Sequence, residues 1–181
     1  MKNSREIDNG EKYIGFKEAI EIINSHIRVT GEEELPPGLC AGRIAASDHT
    51  ASVSYPSTDV SLKDGYAVNS LEAATAAKGN PVTLEIDGDS FAGVPFDSVL
   101  ESGRAVRVCS GAVIPGGADA VVPDEFCDRV SADRVLINAD TSPGRNIMAA
   151  GSEVRSGATV ISKGEKLEPG SLGLAAAAGI G

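Results

Sequence analysis

The sequence predicts a mainly β protein with a few helices, of the α+β class, on three observations. Short apolar runs alternate with polar residues through the middle of the chain, helical periodicity is absent there for more than a hundred residues, and a helical pattern stands near each end.

Near the amino terminus, Phe16, Ala19, Ile20, Ile23 and Ile27 recur at helical spacing with Lys17, Glu18, Glu21 and Asn24 between them. This predicts one amphipathic helix ending near Gly31. An acidic, proline-containing link, 32–37, leads to Cys40-Ala41-Gly42-Arg43-Ile44, where the helical period stops. Val82, Leu84 and Ile86 then alternate with Thr83 and Glu85, Val106 and Val108 flank Arg107, and 118–123 and 135–137 are short apolar runs between turn residues. Short strands at such regular spacing predict a small barrel or sandwich over about residues 51–151. At the far end, Pro169 suits a first helical position, Leu172, Leu174 and four consecutive alanines follow, and Gly179 suits a left-handed cap. Ile180 and Gly181 read as the start of a further element, so the chain is expected to be the front part of a longer polypeptide.

Composition narrows the function classes. A chain of 181 residues with 41% hydrophobic side chains makes one domain or two small ones. Its formal net charge of -10 repels phosphate backbones and anionic membrane surfaces, so no nucleic acid is expected as a partner. With no Trp and 4% aromatics, stacking platforms are scarce as well. Cys40, Cys109 and Cys127 are widely spaced without a C-x-x-C pair, which indicates neither a disulfide framework nor structural zinc and suits a reducing cytoplasm. His26 and His49 lack ligand-like neighbours. Residues 1–13 contain no apolar leader core, and no run approaches the ~18 residues of a membrane span, so the protein is expected to be neither exported nor embedded.

Residues 55–68, YPSTDVSLKDGYAV, carry the most information. Asp, Ser, Lys and Gly disfavour a buried pleated surface, Pro56 donates nothing to a sheet ladder, and Asp64-Gly65 is a turn signal. The segment is predicted to be an exposed loop leading into a short strand, Tyr66 to Val68. On the residues alone two readings stand for Asp59 and Asp64: turn-forming side chains, or paired carboxylates that hold a divalent cation or move a proton. A second loop, 109–119, is rich in glycine and follows the strand around Arg107. Its backbone N–H groups and the Ser110 hydroxyl either cradle an oxyanion or serve as a plain connector, with no lysine or helix start behind them. Dinucleotide fingerprints, P-loops, zinc-protease motifs and a Ser/His/Asp set are absent.

Taken in order, these segments resemble one family. The amphipathic helix is followed by Gly42-Arg43-Ile44-Ala45-Ala46-Ser47-Asp48, the loop ending in Asp64-Gly65-Tyr66-Ala67-Val68, and Ser90-Phe91-Ala92-Gly93. Next come Arg107-Val108-Cys109-Ser110-Gly111-Ala112-Val113-Ile114-Pro115, Gly117-Ala118-Asp119-Ala120-Val121-Val122, Gly144-Arg145-Asn146-Ile147, and Leu172-Gly173-Leu174. The series is similar to the front region of the molybdopterin molybdenumtransferases, that is, bacterial MoeA proteins and the E domain of gephyrin.

The resemblance implies a barrel-like β domain, 51–151, inserted into a smaller discontinuous α+β domain made of 1–50 and 152–181. The molybdopterin-binding α/β domain that normally follows would lie downstream or on another chain. It further implies insertion of molybdate into adenylylated molybdopterin with release of AMP, with Mg2+ as helper and a cytoplasmic homodimer as the working form. By the same resemblance Asp64 and Asp59 are the catalytic and cation-holding carboxylates, and Ser61, Ser110 and Glu153 are cofactor-binding residues. Ser110 stands where the family usually has threonine, and Glu153 where it has aspartate. The consecutive arginines usual before the family's Gly-Glu-Asp are Met148, Ala149 and Ala150 here, which removes an anion clamp. Val60 replaces an asparagine, and Ser171 a glutamate. The chain alone is therefore expected to be inactive, with a non-catalytic dimerisation or binding module as the alternative reading.

Overall fold

Strands form where the sequence alternates, and the computed structural model, which describes residues 13–181, places most of them in one curled sheet. In chain order the strands are β1 (His49–Thr50), β2 (Val60–Ser61), β3 (Gly65–Val68), β4 (Val82–Ser90), β5 (Arg104–Val108), β6 (Ala120–Pro123), β7 (Cys127–Arg129), β8 (Arg134–Ile137), β9 (Ile147–Met148) and β10 (Thr159–Ile161). The helices are α1 (Phe16–His26) and α2 (Pro169–Ala177). The protein is mainly β with two helices among the described residues, as the alternation predicts. Residues 1–12, read above for the absence of a leader, lie outside the described residues.

The chain divides between Leu35 and Pro36 into two units. In the first, α1 carries a strong apolar stripe, and none of its residues is buried. It ends at His26 rather than near Gly31, with Ile27 already extended. The cause is local: the Ser25 hydroxyl donates to the Ile22 carbonyl at 2.7 Å and a His26 ring nitrogen lies 2.8 Å from the same oxygen, while the β-branched Val29 and Thr30 that follow are poor helix formers.

In the second unit the main sheet runs β6-β3-β5-β4-β8-β7, antiparallel except for the parallel β4–β5 pair. Its two edge strands, β6 and β7, are consecutive in sequence and joined by a three-residue 3-10 turn, Asp124–Phe126. Three residues bridge at most about 10 Å, so the sheet must curl until its edges nearly meet, which gives a half-barrel. Side chains alternate across it at period two. Tyr66, Val68, Leu84, Ala105, Val122, Val135 and Ile137 fill one face, and Ala67, Val106, Val108 and Val121 the other with Leu100 and Ala112. With both faces covered, β3 is buried at every position, and each fully buried Val or Ile contributes roughly 1.5–3 kcal/mol.

Gly65 opens β3 because nothing larger fits. A Cβ built there would lie 2.1 Å from the Val122 carbonyl oxygen on the neighbouring strand.

A smaller assembly gathers residues distant in sequence. β1 pairs with β10, and Ala45, Ile161, Leu167 and Ala175 form one core beside a second made of Ala51, Val154 and Ala178. In α2, Pro169 opens the helix, the Ser171 hydroxyl accepts the Glu168 N–H at 3.1 Å, and Gly179 takes φ +75° just past the end. Ser171 thus fills by hydroxyl the position that a glutamate would fill in a capping box.

Candidate functional site

Three irregular segments meet beside β3, and backbone hydrogen bonds fix their geometry. In 55–64, Val60 and Ser61 form β2 and pair with β9, so the predicted loop contains a short strand. The reason is tertiary: Val60 also bridges Val113, and Ser61 N–H donates to Ala112 O at 2.8 Å while its carbonyl accepts Gly111 N–H at 2.8 Å. The 109–115 loop thus completes a ladder that neither segment signals alone.

Asp59 and Asp64 bracket β2, and both are exposed. One Asp59 carboxylate oxygen accepts the Ala150 N–H at 2.8 Å, while its carbonyl accepts Ile114 N–H at 3.0 Å. One Asp64 oxygen accepts the Ser110 N–H at 2.7 Å. That backbone bond is the main cause holding the Asp64 carboxyl below its ordinary range, with the Ser110 hydroxyl second and the Arg107 charge acting the same way against a small opposing effect of burial. Each carboxylate therefore has one oxygen anchored to a backbone amide.

The other predicted residues take distinct places. Ser110 is exposed at the rim of its loop. Ser61 is 2% exposed, and its hydroxyl donates to Lys63 O at 2.6 Å and accepts Lys63 N–H at 3.2 Å. Its capacity is spent in shaping the turn that presents Asp64. Glu153 is exposed on the turn after 144–151, with its N–H donating to Tyr55 O at 3.2 Å. Asp59, Ser61, Asp64 and Ser110 thus share one hydrogen-bonded platform, and Glu153 adjoins the start of the 55–64 segment.

The residues fit a divalent cation of the Mg2+ type only in part. Among the described residues no group of three or more His, Cys, Asp or Glu side chains comes together to hold a metal. Mg2+ asks for fewer, commonly one or two carboxylates with water and substrate phosphates completing six oxygens. Asp59 and Asp64 each keep one oxygen beyond the amide bond, Asp59 on Ala150 and Asp64 on Ser110.

Sequence reasoning missed a groove of about 600 Å³ next to this platform, lined among others by Lys63, Val121, Phe126, Asp140, Thr141 and Arg145. Lys63 and Arg145 lay inside the family-like segments, yet their 82-residue separation hides their proximity. No helix among the described residues is long and apolar enough to cross a membrane.

This fold and these loops are those of a known class. Residues 14–179 match the family described as the MoeA N-terminal region (domain I and II), and the chain belongs to that family. It is 35% identical over 165 residues to molybdopterin molybdenumtransferase 2 of Mycobacterium tuberculosis, covering 87% of this chain and 40% of the relative. It is 37% identical over 140 residues to molybdopterin molybdenumtransferase of Haemophilus influenzae, covering 77% and 33%. A crystal structure of the molybdopterin biosynthesis MoeA protein from Pyrococcus horikoshii OT3 superposes with a TM-score of 0.84 at 29% identity, over 92% of this chain and 44% of that one. The chain thus spans well under two thirds of the length of these relatives.

Proposed function

We propose that the chain is the front region of a molybdenum cofactor biosynthesis enzyme that inserts molybdate into adenylylated molybdopterin, and that it needs a molybdopterin-binding α/β domain, downstream or on another chain, to act. The observation that carries this reading is the 2.7 Å bond from Ser110 N–H to Asp64, which ties together the two loops most characteristic of the family. Names of the relatives support the substrate, and the partial coverage supports the need for a further domain.

In the proposed mechanism Asp64 stays ionised at neutral pH because the Ser110 amide favours its charged form, so it acts as an acceptor and a negative point charge. Asp59, anchored by Ala150 N–H, would be the second carboxylate to hold a Mg2+ ion. Bound there, Mg2+ would neutralise charge that builds up on the molybdate and phosphate oxygens. The Ser110 hydroxyl supports the charged form of Asp64, and Glu153 adds a carboxylate at the rim. Ser61 acts by holding the Lys63-Asp64 turn rather than by touching substrate.

The domain plan, 1–50 with 152–181 around an inserted 51–151, belongs to the same proposal. It is supported by the separate cores around Ile161 and around Val68. So do a cytoplasmic location and a homodimer, the latter supported by the exposed apolar residues of α1, with Phe16 at 82% and Ile23 at 53% exposure.

The test uses a protein that carries this chain together with the α/β domain. Asp64→Asn there is expected to abolish molybdate insertion with a melting temperature within about 2 °C of the parent, since its side chain is exposed. Parental activity in that variant would remove Asp64 from its role.

A further inference from the structure

Strand β6 lies at an edge of the main sheet, yet Val121 in it is fully buried, so its outward N–H and C=O need partners from beyond the sheet. The turn before β9 supplies them. Val121 N–H donates to Arg145 O at 3.0 Å, and the Asn146 side-chain amide donates to Val121 O at 2.8 Å. Gly144 N–H donates to Asp119 O at 2.7 Å just before β6. Asn146 does this with its backbone at φ +58°, the left-handed region, where it is the only non-glycine among the described residues. Asparagine tolerates that conformation better than most side chains and brings the donor that Val121 O requires.

The backbone of the same residue reaches the site. Asn146 O accepts Leu62 N–H at 2.9 Å, which adds a rung to the β2–β9 ladder, where Ser61 pairs with Ile147 and Val60 with Met148. At the other end of that ladder Ala150 N–H donates to the Asp59 carboxylate at 2.8 Å. Asp64 is fastened differently. Its carbonyl accepts Asp124 N–H at 3.0 Å beside β3, so the half-barrel itself fixes it. Asp59 is referred to the half-barrel through the 109–115 loop on one side of β2 and through β9 on the other. The second of these attachments ends at Asn146.

We propose that Asn146 is a positioning residue of the candidate site, whose side-chain amide on Val121 O sets where Asp59 stands relative to Asp64. The inference rests on the functional reading above for the chemistry that the two carboxylates serve. The amide is spent on Val121, so Asn146 acts through the ladder and not by touching a substrate. Losing the donor leaves the number and charge of the carboxylates unchanged and alters their spacing, to which a reaction between positioned groups is sensitive.

Two variants isolate the donor. Asn146→Gly keeps the left-handed turn and the carbonyl that Leu62 uses but deletes the amide, and Asn146→Asp keeps the shape while putting an oxygen where the donor stood. Amide NMR spectra of the 181-residue chain are the first readout. In both variants the amides of Leu62 and Ala150 are expected to shift, while those of Ser110 and of β4 and β8 stay in place. The second readout uses the protein that carries this chain together with the α/β domain. There Asn146→Gly is expected to lower kcat for molybdate insertion about tenfold or more, with KM within about twofold of the parent. Unmoved Leu62 and Ala150 amides in either variant, displacement spread equally over Ser110 and β4, or a parental kcat beside displaced amides overturns the proposal. Failure of both variants to fold overturns it too, since the role would then be structural alone. A parent protein without molybdate insertion sinks the functional reading, and the amide spectra still decide the role of Asn146, so the two failures register separately.

Discussion

Asp64 concentrates the residue-scale physics of the molecule. A carboxylate that accepts a backbone N–H is stabilised in its charged form, so its folded pKa lies below the ordinary value of 3.8. The sign of the linkage follows: the contribution to stability is present above the unfolded value and is lost as pH falls through the lowered folded one. A carboxylate-detected NMR titration is expected to place the Asp64 midpoint below 3.8, and a midpoint at or above it would mean that the Ser110 bond is not formed in solution. Cys127 shows the opposite balance. Burial, helped by Asp124, Asp128 and Glu125, pushes its thiol up to about 12. At pH 8 it is expected to resist alkylation in the native protein and to react once guanidinium unfolds it; rapid native alkylation, followed by mass mapping, would contradict that burial. The sequence marked Asp59 and Asp64 through their turn chemistry, yet could not tell that Ser61 faces inward, because burial of a hydroxyl depends on the loop that covers it.

At the scale of elements, alternation located β4 and β5, short apolar runs between turn residues located β6 and β8, and the turn signal at Asp64-Gly65 located β3. These gave no sign of β1, β2, β9 or β10, which are two or three residues long and owe their pairing to partners up to about a hundred residues away in sequence. Helix α1 was legible in its apolar stripe, but its end was not, since Ser25 and His26 terminate it by hydrogen bonds that a periodicity does not contain. Gly65 shows why a single element tolerates so little. Gly65→Ala would drive a methyl group into the Val122 carbonyl of β6, and we expect a loss of about 3 kcal/mol or more in urea unfolding. A loss under about 1 kcal/mol would show that β3 and β6 separate more easily than their four paired positions suggest.

For the whole molecule, the edges of the main sheet are joined by Asp124–Phe126, and beside β3 the β2–β9 pair and the Val60–Val113 bridge hold the three site segments together. Assembly is the remaining question at this scale. If α1 supplies a dimer surface, Ile23→Asp in its apolar stripe is expected to convert a dimer to monomer in sedimentation equilibrium while leaving the far-ultraviolet circular dichroism of the sheet unchanged. A parent chain that sediments only as monomer at high concentration would count against the homodimer.

By itself the sequence determined the secondary-structure class, the two carboxylates and the family to which they belong, because period, turn chemistry and segment order are properties of neighbours along the chain. Only the tertiary structure decided that Ser110 donates to Asp64, that Ala150 caps Asp59, and that Lys63 and Arg145 look onto one groove. Those relations join residues 46, 91 and 82 positions apart. Their closeness exists only once burial of the barrel faces has provided the free energy that closes such long loops.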